Sequence, residues 1–150
     1  MPYFNRKPTR IPGYDYSMQN YYFITICTHE KMCIFGSASQ LNELGQIVAE
    51  ELRALPNHYQ YIRLDNCIVM PNHIHMIIAV EGENNISINY VVGLFKSGVS
   101  KRIHTLQPSL KVWQRSFHDH IIRNQKEYET IWQYVTYNRQ KWQDDCYYCE

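Results

Sequence analysis

At 150 residues the chain has the length of a single domain and can bury a conventional core without disulfide or metal staples. Hydrophobic residues make up 45% and charged residues 19%, an ordinary globular balance, and no apolar run approaches the roughly 20 residues that span a bilayer. A formal net charge of +1 excludes bulk charge as an argument for nucleic-acid binding, so any such role must lie in how the charges are distributed.

The opening MPYFNRKPTR carries Arg6, Lys7 and Arg10 with no apolar segment behind them. It reads as a basic arm over residues 1–18 rather than a secretory signal, and a cytoplasmic location is the default expectation. YYFITICTH, 21–29, is aromatic and β-branched and predicts a strand. After the turn-like FGSAS, Leu41, Leu44, Val48, Leu52 and Leu55 recur at three- and four-residue steps, predicting an amphipathic helix that Pro56 ends. YIRLDNCIVM, 61–70, predicts a second strand, and Pro71-Asn72 a bend before the apolar strand that carries His73 and His75.

Ser87 suits the cap of a helix along Ile88, Val91, Val92, Phe95, Val99 and Ile103. VWQRSF, 112–117, is the expected fourth strand, and residues 124–142 predict a last helix with Tyr128, Ile131, Trp132, Val135 and Trp142 in its apolar stripe. A short tail, 143–150, follows. The order β-α-β-β-α-β-α fits an α+β, ferredoxin-like split βαβ layout: an antiparallel sheet with helices packed on one face and an added C-terminal helix that can reach the other. Five cysteines, odd in number and irregularly spaced, predict reduced thiols, with the CxxC of Cys146 and Cys149 read as part of the tail.

Successive strand side chains alternate between faces, so His73 and His75 share one face while Ile74 points to the other. Two imidazoles held this way can supply two nitrogen ligands to a divalent metal, and a third must come from another element. Asn138, one turn beyond Tyr134 on the last predicted helix, is the candidate, and the i, i+4 spacing would bring hydroxyl and amide in together. Taken alone, an HxH pair reads first as two hydrogen-bonded core histidines. The Tyr134–Asn138 pair and the flanking phrases turn that reading toward a site. His118 and His120, in SFHDHII, form a second HxH beside Asp119, and Tyr128 and Tyr137 are rival hydroxyls, the first expected in the core and the second on the surface.

A His-hydrophobic-His strand followed some sixty residues later by a helical tyrosine with an amide at i+4 resembles the single-tyrosine HUH transposases. VMPNHIHMII, GLFKS, VWQRSFHDHIIRN and YVTYN are most similar to the REP-associated tyrosine transposase branch, relatives of the insertion-sequence enzymes, and the likeness runs from FITICT to about Trp142. It implies an endonuclease and strand-transfer activity on single-stranded DNA, as in DNA transposition and recombination, through a covalent 5′-phosphotyrosine. Tyr134 would be the nucleophile, and His73, His75 and Asn138 would bind Mg²⁺ or Mn²⁺ as cofactor. The cation is needed because a phosphodiester repels nucleophiles and a tyrosine hydroxyl with a pKa near ~10 is mostly protonated at neutral pH.

The implied partner is single-stranded, hairpin-containing DNA, with no membrane partner, and relatives act as monomers or as homodimers. Arg6, Lys7, Arg10, Lys96, Lys101, Arg102, Arg115 and Arg123 are the expected DNA contacts, against the alternative of solvated surface charge. Some of the thirteen tyrosines could stack on bases. The chain departs from the family pattern at Arg139, where proline is common, and at His118, where an aromatic is common. A catalytically silent nucleic-acid-binding module of the same fold is the alternative from a different functional class, and a zinc hydrolase is a third reading.

Overall fold

The computed structural model of the chain describes residues 21–81 and 87–144. Arg6, Lys7, Arg10 and the CxxC lie outside them. Four strands, β1 (Tyr21–Cys27), β2 (Ile62–Val69), β3 (His73–Val80) and β4 (His118–Ile122), form one antiparallel sheet in the order β2-β3-β1-β4. Three helices, α1 (Glu43–His58), α2 (Ile88–His104) and α3 (Gln125–Thr136), complete the expected β-α-β-β-α-β-α order. This is the ferredoxin-like arrangement.

The two faces of the sheet are covered differently. Tyr22, Ile24 and Ile26 of β1 and Ile74, Met76, Ile78 and Val80 of β3 pack against Val48 and Leu52 of α1 and Val92, Phe95 and Val99 of α2 in the larger core. On the opposite face Phe23, Ile77 and Ile122 meet Ile131 and Val135 of α3 in a smaller one. Each helix begins at a side-chain cap: Asn42 accepts from the Gly45 N–H, Ser87 from Tyr90 and Asn124 from Glu127. Gly45 is required there, because a Cβ would stand 2.3 Å from the Phe35 carbonyl oxygen.

Three element boundaries differ from expectation. Pro56 lies inside α1, which runs on to His58. So near the C-terminus a proline removes one backbone bond and leaves the last turn free to close, as Tyr59 N–H does on Leu55. The fourth strand is His118–Ile122, not 112–117. Trp113 makes only an isolated bridge to Thr28, and Ser116 at φ +68° breaks the extended chain before the strand starts. Lys96 donates to the Gln114 and Ser116 carbonyls at 2.9 Å each, holding this segment as a loop.

The last helix stops at Thr136 rather than 142. Beyond it Asn138 N–H bonds Val135, Lys141 bonds Asn138 and Trp142 bonds Arg139, three-residue steps that lead into a short 3-10 turn at Trp142–Asp144. Among the described cysteines, Cys27 and Cys67 are thiols and Cys33 is disulfide-bonded, which corrects the expectation of wholly reduced thiols. An odd count rules out complete pairing, not a single bond.

Candidate active site

β3 starts at the site. The chain leaves β2 through Met70, whose N–H bonds the His73 carbonyl at 2.8 Å, and the bend is anchored by Thr28 N–H on Asn72 and Phe35 N–H on Pro71, each at 3.0 Å. His73 and His75 then project onto the face that carries α3, because the intervening Ile74 belongs to the larger core. Both rings are buried, and their Nε2 atoms stand 3.1 Å apart. Buried imidazoles are costly unless their nitrogens are bonded. Here His73 Nδ1 lies 2.8 Å from Asn72 Oδ1 and His75 Nδ1 lies 2.8 Å from Thr25 Oγ1.

α3 brings in the phenol. Ile131 and Val135 seat the helix on Phe23, Ile77 and Ile122, and Tyr134, between them in sequence, leans over the histidine end of the sheet. Its Oη is 3.4 Å from His75 Nε2, and its ring meets His75 at 5.2 Å and Phe23 edge-on at 6.0 Å. Trp142 was expected in the apolar stripe of a longer helix. The tightened turns after Thr136 instead carry its ring over His73, with centroids 6.0 Å apart and planes inclined by 29°. Asn138 lies two residues beyond α3, so the helical i+4 geometry expected from Tyr134 does not hold there, and its side chain is buried.

The rival tyrosines are placed elsewhere. The Tyr128 hydroxyl donates to Asp65 at 2.7 Å, and burial, aided by that bond, pushes its pKa up to about 12. Asp65 sits at an irregularity in β2 between Leu64 and Asn66, and its carboxylate meets α3 through this bond. Tyr137 closes the C-terminus of α3 and is exposed.

The second HxH proves to be strand β4. His118 pairs with Thr25 and His120 with Phe23, so both lie on the α3 face, and Thr25 stands between His75 and His118. His120 Nε2 is 3.0 Å from Glu127 Oε1 of α3. Thr25 and Asn72 were not singled out from sequence. The only signal for Thr25 was one polar residue in an otherwise apolar strand.

The expected DNA contacts separate into two groups. α2 lies across the sheet from the histidines, where Arg102 bonds Glu50 and Glu51 at 2.7 and 3.1 Å and Lys96 is engaged with the 114–116 loop. Lys101, Arg115 and Arg123 are exposed.

No group of three or more His, Cys, Asp or Glu side chains among the described residues is gathered for a metal. The histidine pair therefore needs a donor of another type, and Asn138 is of that type. Two nitrogens about 2.1 Å from one ion at adjacent octahedral positions stand about 3.0 Å apart. The observed 3.1 Å fits such a pair, and each ring's Nδ1 is bonded as metal-binding histidines require.

Residues 16–138 match the family model described as IS200-like transposase. The chain belongs to the IS200-like transposase family. An uncharacterised protein of Haemophilus influenzae is 32% identical over 97% of this chain and 94% of its own length. A second protein of that organism, provisionally named a REP-associated tyrosine transposase, is 25% identical over 83% of this chain and 72% of its own.

Among solved structures, a REP-associated tyrosine transposase bound to a REP hairpin superposes with a TM-score of 0.62 at 17% identity, covering 94% of this chain and 74% of that one. A protein of Deinococcus radiodurans provisionally described as a transposase gives 0.56 at 19%, covering 87% and 96%. These two likenesses bear on the fold, which is that of the tyrosine transposases.

Proposed function

We propose that this IS200-like transposase family member cleaves and rejoins single-stranded DNA through a covalent 5′-phosphotyrosine on Tyr134. The observation that carries the reading is the gathering, within one chain, of the Tyr134 hydroxyl 3.4 Å from His75 Nε2 and of His75 Nε2 3.1 Å from His73 Nε2. A single copy contains the whole constellation, so the reading requires no second subunit.

In this reading Tyr134 Oη attacks the scissile phosphorus and loses its proton as the P–Oη bond forms. The bond from phosphorus to the 3′ oxygen breaks, and that oxygen leaves with the electron pair and gains a proton. The phosphotyrosine keeps the energy of the cleaved linkage, so another 3′-hydroxyl can reverse the step and join new ends without a nucleotide cofactor. Phe23, edge-on to the Tyr134 ring, and the seating of Ile131 and Val135 fix the direction of the phenol. His73, His75 and Asn138 would hold Mg²⁺ or Mn²⁺, which when bound polarises the phosphate and offsets charge developing there.

Lys101, Arg115 and Arg123 are the proposed phosphate contacts. Lys96 and Arg102, whose charges already serve the 114–116 loop and α1, are assigned to scaffolding. The relative bound to a REP hairpin suggests hairpin DNA as the substrate class.

The test is a hairpin-bearing single strand incubated with the protein and Mn²⁺ and resolved under denaturing conditions. A covalent adduct is expected, absent in Tyr134→Phe. An adduct that persists in Tyr134→Phe overturns the nucleophile, and DNA binding with no adduct in the wild type identifies a silent binding module instead.

A further inference from the structure

We propose that Asn72 and Thr25 are positioning residues that set the ring tautomers of His73 and His75. Asn72 does so permanently and Thr25 reversibly, so that the pair is bonded to itself when empty and offers two Nε2 lone pairs to a divalent cation. The inference rests on the metal-pair reading above.

Asn72 is buried, and its Nδ2 donates to the Lys31 carbonyl at 3.1 Å. That bond turns Oδ1 toward the His73 ring. An amide oxygen only accepts, so the 2.8 Å contact requires the proton of His73 on Nδ1, and the Nε2 of the neutral ring carries a lone pair. The Lys31 carbonyl is presented by a strained turn, with Glu30 at φ +52° and Lys31 at φ +55°. Such conformations persist where their surroundings over-determine them. Here Lys31 N–H bonds the Thr28 carbonyl at 3.0 Å, and Thr28 Oγ1 lies 2.7 Å from the Met32 oxygen and 3.1 Å from that of Asn72.

His75 follows from His73. With both rings neutral, the 3.1 Å Nε2–Nε2 contact is an N–H···N bond only if His75 supplies the hydrogen. Its Nδ1 must then accept, and the donor is the Thr25 hydroxyl at 2.8 Å. For both Nε2 atoms to face a cation, the His75 proton has to move from Nε2 to Nδ1. The Thr25 hydroxyl then rotates and accepts what it formerly donated. No proton is gained or lost and no bond is left unmade, because a hydroxyl is both donor and acceptor. Valine has the same shape and can do neither.

Long-range ¹H–¹⁵N spectra of the imidazoles in the full chain near neutral pH test the network directly. Without metal, His73 is expected as the Nδ1–H form and His75 as Nε2–H, and Mg²⁺ should convert His75 alone to Nδ1–H. A metal-free His73 carrying its proton on Nε2, or Mg²⁺ binding with no change at His75, overturns the proposal.

Mn²⁺ titration supplies the second measurement. Thr25→Val and Asn72→Leu are expected to weaken binding about 10- to 100-fold, whereas Thr25→Ser, which keeps the hydroxyl, stays close to wild type. Native affinity in Thr25→Val or in Asn72→Leu overturns the role of that residue. A wild-type protein that takes up no Mn²⁺ defeats the functional reading, while the metal-free spectrum still judges the hydrogen-bond network. Should the apolar variants fail to fold, the wild-type spectra and Thr25→Ser decide.

Discussion

The two faces of β3 are equally buried and entirely unlike. Ile74, Met76, Ile78 and Val80 meet apolar side chains of α1 and α2 in the larger core, whereas His73 and His75 on the reverse are surrounded by Asn72, Thr25 and Tyr134. The first face is stabilised by area removed from water. The second trades part of that area for bonded nitrogens, and so can hold groups whose chemistry would be quenched or lost on an exposed loop. Within the α3 face the change happens over one strand step, from Ile77 in the smaller core to His75 in the site.

That contrast predicts a double dissociation, largest in its first arm. Tyr134→Phe should reduce the DNA adduct to background while leaving the urea midpoint nearly unchanged, since it removes one hydroxyl and no packing. Ile78→Ala, on the opposite face, should destabilise by about 2–5 kcal/mol through a cavity in the larger core, yet leave adduct formation per folded molecule intact. If Ile78→Ala instead abolishes the adduct in protein that remains folded, the two faces are not separable.

Lys96→Met tests the assignment of that side chain to scaffolding. Loss of two charge-assisted bonds to the Gln114 and Ser116 carbonyls is expected to lower stability by about 1.5–3 kcal/mol with DNA affinity unaltered. A drop in affinity and in its salt dependence, with stability unmoved, would return Lys96 to the phosphate contacts.

The smallest effect belongs to Tyr128. Its folded-state pKa of about 12 exceeds the ordinary value of 10.0, so the fold favours the protonated phenol. The resulting stability is fully present below pH 10 and is lost as pH rises toward 12. Denaturant midpoints should therefore fall over that interval in the wild type and less so in Tyr128→Phe. Adduct formation at neutral pH should be indifferent to the substitution, as expected of a hydroxyl committed to Asp65 rather than to phosphate.

Periodicity was sufficient wherever local geometry alone decides. The period-two alternation of β3 placed His73 and His75 together, Ser87 with the apolar steps behind it located α2, and the apolar stripe after residue 124 located α3. It failed where bonds to distant residues decide. VWQRSF resembles a strand, but Lys96 of α2 takes two of its carbonyls and Ser116 turns the chain. The stripe through Trp142 resembles helix, but the turn shortens after Thr136 and the indole settles on His73.

By itself, then, the sequence determined the order of elements and the shared face of the two histidines, because each is a property of neighbours along the chain, while the expectation of Tyr134 came from the family resemblance. Only the tertiary structure decided that Thr25 and Asn72 bond the two rings, that His118 and His120 lie on the same face and that Lys96 and Arg102 are already engaged. Those contacts include pairs 50 or more positions apart, as Thr25 and His75 are. Their partners are set by sheet register and helix seating, which no local pattern encodes.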